Sequence, residues 1–296
     1  MKTIFQFLSP TLFACITGQL SFGQHSNTAT QFKNPLTEFS NFYTDPVAEN
    51  MYSKHVADTF KIFKSFPEGY QSDTTKKYPV IIILDANAFF EPTVSQLKFN
   101  SFIGEVPKAI IIGVGYKNFM AMDSLRTRDY TFPRAIAEYG MSVSGGAEKF
   151  KQFIDDELLP DLSRNHRVDL GKSTLCGHSL GGYFSLFYAL RSAEENRFHL
   201  KSVVSASPSL HYNYRYIFNM TKTVKASQLP MKMYLSMGSG DMADVESKDI
   251  LSQFANQLAE RKFNGLEFFG AEYTNFGHID AALPGFIKGL TYIYKK

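Results

Sequence analysis

Along this chain, short hydrophobic runs alternate with longer stretches in which apolar residues recur at helical spacing. Phe60-Lys61-Ile62-Phe63-Lys64-Ser65-Phe66 has the period of a half-buried strand and stops at Pro67. Tyr78 to Leu84 and Ala109 to Val114 are continuous apolar runs rich in Ile, the pattern of strands covered on both faces. Glu148 to Leu162 sets Phe150, Phe153, Ile154, Leu158 and Leu159 along one helical face. Beyond it the pattern predicts a strand from Ser173 to Cys176 and a helix from Leu180 to about Arg191. Strands at Ser202 to Ser205 and Met233 to Ser236, a helix at Lys248 to Arg261, a strand at Leu266 to Phe269 and a closing helix at Pro284 to Tyr294 follow. Strands that alternate with helices in this way predict an α/β architecture, a mostly parallel central sheet flanked by helices on both faces. No repeat, low-complexity tract or linker divides residues 37–296, so a single domain is expected there.

The start of the chain reads differently. Lys2 precedes an apolar stretch from Ile4 to Leu20, and Ser21-Phe22-Gly23 puts small residues at the −3 and −1 positions of a cleavage site before Gln24. Residues 1–23 are therefore expected to be a signal peptide, and the polar, aperiodic residues 24–36 a flexible leader. Pro10 and Gly18 interrupt the apolar stretch, which argues against a buried helix and against stable insertion in a membrane. Lipoprotein processing at Cys15 is the other reading, but Phe13 stands where a small residue is usual. Either way the protein is expected to be exported, as a periplasmic or secreted protein.

Composition narrows the function classes. Of 296 residues 44% are hydrophobic, enough for one sizeable core. Loss of residues 1–23 removes only Lys2 from a formal charge of +3, so nothing marks a partner such as nucleic acid or an acidic membrane. Cys176 is then the lone cysteine, which cannot form an internal disulfide. The chain carries no HExxH, CxxC, P-loop or Ca-binding loop, so no metal or nucleotide cofactor is expected.

The sharpest signal is Gly177-His178-Ser179-Leu180-Gly181-Gly182. G-x-S-x-G alone is weak, but here Thr174-Leu175-Cys176 leads in as a strand and Tyr183 to Ala189 leads out as a helix. A strand turning sharply into a helix strains its turn residue and leaves no room for flanking side chains, which accounts for glycine at 177 and 181. The turn would lift the Ser179 hydroxyl above the sheet and aim the first helical amides, beginning with Leu180, at a developing oxyanion. A serine hydroxyl is a poor nucleophile and needs a base. Where such an elbow carries a triad the chain order is Ser, acid, His. Of the histidines after Ser179, His199 and His211 precede any acid on a later strand, which leaves His278, in the loop Asn275-Phe276-Gly277-His278-Ile279-Asp280. His178 is expected to point away from the elbow as a packing or hydrogen-bonding residue. The acid should follow the strand ending at Ser236, where Asp241, Asp244 and Glu246 fall close together. Asp241 is the choice because it comes first and follows glycines, and the other two stay open. The second oxyanion amide should lie just past a central strand, at Asn87 or else Ala86.

These segments, in this order, resemble the esterase branch of the α/β-hydrolases that includes enterobactin and related siderophore esterases. S-formylglutathione hydrolases and mycolyltransferases are more distant relatives. The matching features are Ile81-Ile82-Ile83-Leu84-Asp85, the loop Arg126-Thr127-Arg128-Asp129-Tyr130-Thr131, the elbow at Gly177 to Gly182, Ser205-Ala206-Ser207-Pro208-Ser209, and Gly277-His278. They run from about residue 55 to the end. Two departures are Ala86, where the family often has glycine, and Leu210-His211-Tyr212, where Trp is common. The resemblance implies a serine carboxylic-ester hydrolase with a small-molecule ester substrate, and it places Arg126 and Arg128 near the pocket entrance. There they could hold an anionic group such as a carboxylate or a metal-bound catecholate; alternatively one of them pairs with Asp129 and braces the loop. A siderophore trilactone is the leading substrate, followed by an acylated polysaccharide. An acyltransferase and a non-catalytic binding protein on the same fold are the rival classes, and oligomeric state is not legible.

Overall fold

The Ile-rich runs become the centre of one sheet. The structure is a computed structural model that describes residues 47–241 and 249–295. The expected signal peptide, the leader, Cys15, Asp244 and Glu246 lie outside the described residues. Eight described strands run in the order β1-β2-β4-β3-β5-β6-β7-β8. They are β1 (Val47–Ser53), β2 (Asp58–Ser65), β3 (Tyr78–Ile83), β4 (Ile110–Gly115), β5 (Val168–His178), β6 (Ser202–Ala206), β7 (Lys232–Gly238) and β8 (Glu267–Tyr273). β1 and β2 are antiparallel to their neighbours, and every pairing from β4 to β8 is parallel.

β3 is buried at every position because its alternate side chains enter two different cores. Val80 and Ile82 pack on one face with Phe150, Phe153 and Phe184. Ile81 and Ile83 pack on the other with Phe90, Val94, Phe286 and Leu290. The second core belongs to α1 (Ala86–Phe102) and to the closing helix described below. The first is covered by α2 (Phe119–Tyr130), α3 (Ala147–Gln152), a π-helical turn (Phe153–Leu158), α4 (Leu159–Asn165), α5 (Leu180–Glu195), α6 (Tyr212–Thr223) and α7 (Ile250–Arg261). α8 (Ala282–Tyr294) closes the fold. This is the α/β-hydrolase architecture. Among the described residues no helix is long and apolar enough to cross a membrane.

The differences from expectation are local. β1, α1 and α6 carry no strong sequence signal, since β1 is mostly exposed and three left-handed residues, Asn213 to Arg215, interrupt the start of α6. Strand β5 is longer than Ser173 to Cys176, because Val168 and Asp169 also pair with Tyr78 and Pro79 beyond a bulge. Arg126 to Tyr130 is not a loop but the last turns of α2, whose start is capped by the Asn118 side chain accepting from the Ala121 amide at 2.8 Å. α2 has no clean apolar stripe, with only Met122, Asp129 and Tyr130 buried, so periodicity could not reveal it. A cavity of about 460 Å³, lined by residues including Ile81, Leu97, Phe102 and Ala109, lies toward the N-terminal ends of β3 and β4, at the far side of the sheet from Ser179.

Candidate active site

Strand β5 ends at His178 and α5 begins at Leu180, so Ser179 occupies the turn between them, with φ 60° and ψ −120°. An L-residue in that region costs of order 1–3 kcal/mol, and surrounding bonds must hold it there. The Ser179 amide donates to the Ala206 carbonyl at 3.0 Å, and its own carbonyl accepts from Tyr183 at 2.9 Å and Ser209 at 3.1 Å. Glycine at 177 is a steric requirement: a Cβ there would lie 2.1 Å from the Gly181 carbonyl oxygen. At Gly181 the demand is milder, with the nearest atom, a carboxylate oxygen of Asp85, at 3.3 Å. As the first residues of α5, Leu180 and Gly181 have amides without an acceptor one turn earlier in the helix.

On the far side, β7 ends in a tight turn locked to the loop between β8 and α8. The Gly240 amide donates to the Phe276 carbonyl at 2.9 Å, the Ser239 amide to Tyr273 at 2.9 Å, and the Asn275 amide to the Ser239 hydroxyl at 2.9 Å. A Cβ on Gly238 would sit 2.2 Å from the Phe276 carbonyl oxygen, so this close approach requires glycine. The two loops bring His278 Nδ1 to 2.8 Å from Asp241 Oδ2, with the Asp241 side chain 1% and the His278 side chain 28% exposed. A buried carboxylate accepting from Nδ1–H fixes the tautomer and leaves Nε2 as the basic nitrogen.

Among the described residues Ser179 and His278 share no hydrogen bond. The Ser179 hydroxyl instead lies 3.4 Å from that of Ser209. Hydrogen bonds between a nucleophile and its base are commonly long or unformed before substrate binds. His278 is nonetheless at the elbow. The ring of His178, the residue before Ser179, lies 4.7 Å from the His278 ring, and its Nε2 donates to the His278 carbonyl at 2.8 Å. That contact was not legible in the sequence, where nothing pairs residue 178 with residue 278.

At the end of β3, Asp85 turns the chain into α1 with φ 51°, and its carbonyl accepts from both Ala88 and Phe89. The Leu84 amide still pairs with the Cys176 carbonyl, so Asp85 to Asn87 run beside the elbow. The Asn87 side chain is pinned to the end of β4, donating to the Tyr116 carbonyl at 3.0 Å and accepting from the Tyr116 amide at 2.7 Å.

The arginines are placed otherwise than as free anion-binding groups. Arg126 forms a two-pronged pair with Asp85, Nε to Oδ1 at 3.0 Å and Nη2 to Oδ2 at 2.9 Å, and Nη2 also reaches the His178 carbonyl at 3.1 Å. Arg128 pairs twice with Asp129, at 2.7 and 3.0 Å, and with Asp58 at 2.8 Å. Burial opposes the Arg126 cation, but Asp85 beside it outweighs that and raises its pKa. Each guanidinium thus pairs with carboxylates of the protein, Arg126 with Asp85 and Arg128 with Asp58 and Asp129, the last being the bracing alternative.

The residues after Ser-Pro-Ser split between core and surface. Leu210 and Tyr212 are buried, and the Tyr212 hydroxyl donates to the Pro133 carbonyl at 2.8 Å. Tyr214, on the left-handed turn, is exposed, as are Phe276 and Ile279 flanking His278.

Known proteins resemble this chain in sequence and in fold. The Esterase family model, described as "Putative esterase", matches residues 53–274. Ferri-bacillibactin esterase BesA of Bacillus subtilis (strain 168) is 30% identical over 266 residues, which cover 83% of this chain and 88% of that protein. Apo-salmochelin esterase of Escherichia coli O6:H1 is 27% identical over 213 residues, covering 68% of this chain and 64% of that one. The crystal structure of BES protein from Bacillus cereus superposes with a TM-score of 0.70 at 26% identity, over 93% of this chain and all of that one.

Proposed function

Because the chain belongs to this esterase family, we propose that it is a serine esterase working through Ser179, His278 and Asp241. The observation that carries the reading is the bond from His278 Nδ1 to the buried Asp241 carboxylate, in a loop that touches the residue before Ser179. Nε2 of His278 takes the Ser179 proton as Oγ attacks the ester carbonyl, and returns it to the departing alcohol. Amides of Leu180 and Asn87 hold the oxyanion of the tetrahedral intermediate. Water, activated by the same imidazole, then releases the acyl group.

The substrate we propose is a siderophore ester of the trilactone type. Support comes from the relatives, which are esterases of ferri-bacillibactin and apo-salmochelin, and from Phe276 and Ile279, exposed apolar residues flanking His278 that offer surface for an aromatic group. The acting form is an exported protein that starts at Gln24.

Ser179→Ala should lower kcat by roughly 10⁶ with the fold intact, as for loss of a triad nucleophile. The parent should be labelled at Ser179 by a fluorophosphonate. A variant that keeps a tenth of the activity would exclude the mechanism. A panel of siderophore trilactones and acylated polysaccharides, compared by kcat/KM, decides the substrate.

A further inference from the structure

His178 lies inside the G-x-S-x-G elbow, yet the reaction just described gives it no part. Its side chain is buried among groups that matter to that reaction. Nε2 lies 2.8 Å from the backbone carbonyl of His278, and the ring stands edge-on to Phe89 at 5.5 Å. Phe89 in turn packs against Phe286 of α8 at 5.6 Å. A carbonyl only accepts, so the proton must sit on Nε2 of His178. Burial, with His278 and Arg126 beside it, depresses its pKa to about 4, and the bond to the His278 carbonyl and the charge of Asp241 only partly oppose this. The ring therefore stays neutral and adds no positive charge next to His278 when that residue becomes an imidazolium.

Resting on the serine-esterase reading, we propose that His178 is a positioning residue that fixes the backbone of His278 through its Nε2–H. Asp241 holds the imidazole of His278 by its ring, and His178 holds the same residue by its main chain. The two bonds come from different parts of the sheet, the turn after β7 and the end of β5, and both from buried side chains. The bonds to the β7 turn lock residues 273 to 276 of this loop, and the bond from His178 adds an anchor on the peptide of His278 itself. Because His178 adjoins Ser179, the base is referenced directly to the strand that carries the nucleophile.

The test compares three variants by steady-state kinetics on a soluble aryl ester and by the rate of fluorophosphonate labelling at Ser179. His178→Gln puts an amide N–H near the position of Nε2, His178→Asn stops short of it, and His178→Phe keeps a ring against Phe89 without the donor. His178→Phe and His178→Asn should lose about 10- to 100-fold in kcat and labelling rate, the scale of a misplaced catalytic group, with KM within about threefold. His178→Gln should stay within about threefold of the parent. Should His178→Phe not fold, the Gln and Asn pair, equal in polarity and different in reach, carries the same comparison. Equal losses in Gln and Asn, or no loss in Asn and Phe, overturn the proposal. An unlabelled parent would overturn the serine mechanism itself, whereas a labelled parent with equally fast His178→Asn overturns only the role of His178.

Discussion

At the scale of single residues, the site depends on positions where one atom too many has no space. A methyl group at Gly177 would meet the Gly181 carbonyl at 2.1 Å, and one at Gly238 would meet the Phe276 carbonyl at 2.2 Å, in both cases backbone that would have to shift. Gly238→Ala should therefore push the 273–278 loop off the β7 turn and separate His278 from Asp241. Activity should fall by about 10²-fold or more while most of the fold survives, as judged by kcat and far-ultraviolet circular dichroism; wild-type kcat would show that the loops tolerate the shift. The acid gives a sharper contrast. Asp241→Asn is nearly isosteric but can favour the wrong tautomer of His278, and a loss of up to about 10⁴ in kcat is expected. Asp244→Asn and Glu246→Gln should remain close to the parent. If all three stay within about threefold, Ser179 and His278 act as a dyad.

At the scale of elements, the Arg126–Asp85 pair ties α2 to the end of β3 and, through the His178 carbonyl, to the end of β5. The strand ends proposed to supply both oxyanion amides are thereby held at a fixed separation. Replacing one partner strands the other as a buried charge, which typically costs 3–5 kcal/mol, whereas apolar replacement of both is often close to neutral. Arg126→Met should accordingly lower stability in urea by that order, and Arg126→Met with Asp85→Leu should recover much of it. If Arg126 served instead as a substrate-binding cation, Arg126→Met would raise KM and leave the urea midpoint unchanged.

For the whole molecule, His178 makes stability depend on pH. Its folded pKa of about 4 lies below the ordinary value of 6.5, so between those values the unfolded chain binds a proton that the native protein does not. The resulting contribution is complete above pH 6.5 and is lost as pH falls toward 4, amounting to at most about 3 kcal/mol. Charges facing the ring are those of His278, Arg126 and Asp241, and carboxylates elsewhere add their own acid dependence. The difference between parent and His178→Gln isolates the term: the parent should lose stability relative to the variant between pH 7 and 4.5. A difference that does not change with pH would mean that folding leaves the ring's proton affinity unchanged. The proposed export predicts a mature N-terminus at Gln24 by intact mass, and a lipidated Cys15 would overturn that processing.

The sequence by itself determined what local periodicity and local sterics control. Continuous Ile-rich runs specified buried parallel strands, because only a strand with a core on each face needs no polar side. Gly177 and Ser179 announced the elbow, because its strain and crowding are set within a few residues. Chain order singled out His278, and the glycines before Asp241 marked the first carboxylate after β7. What the sequence left open were matters of long-range juxtaposition. Arg126 reads the same whether it faces substrate or Asp85, 41 residues away, and only the folded chain brings it to that carboxylate. Likewise His178 and His278 lie 100 residues apart, and the parallel sheet alone brings one ring to the other's carbonyl. Such contacts follow from which strands are neighbours, a property of the completed sheet that no short window of residues encodes.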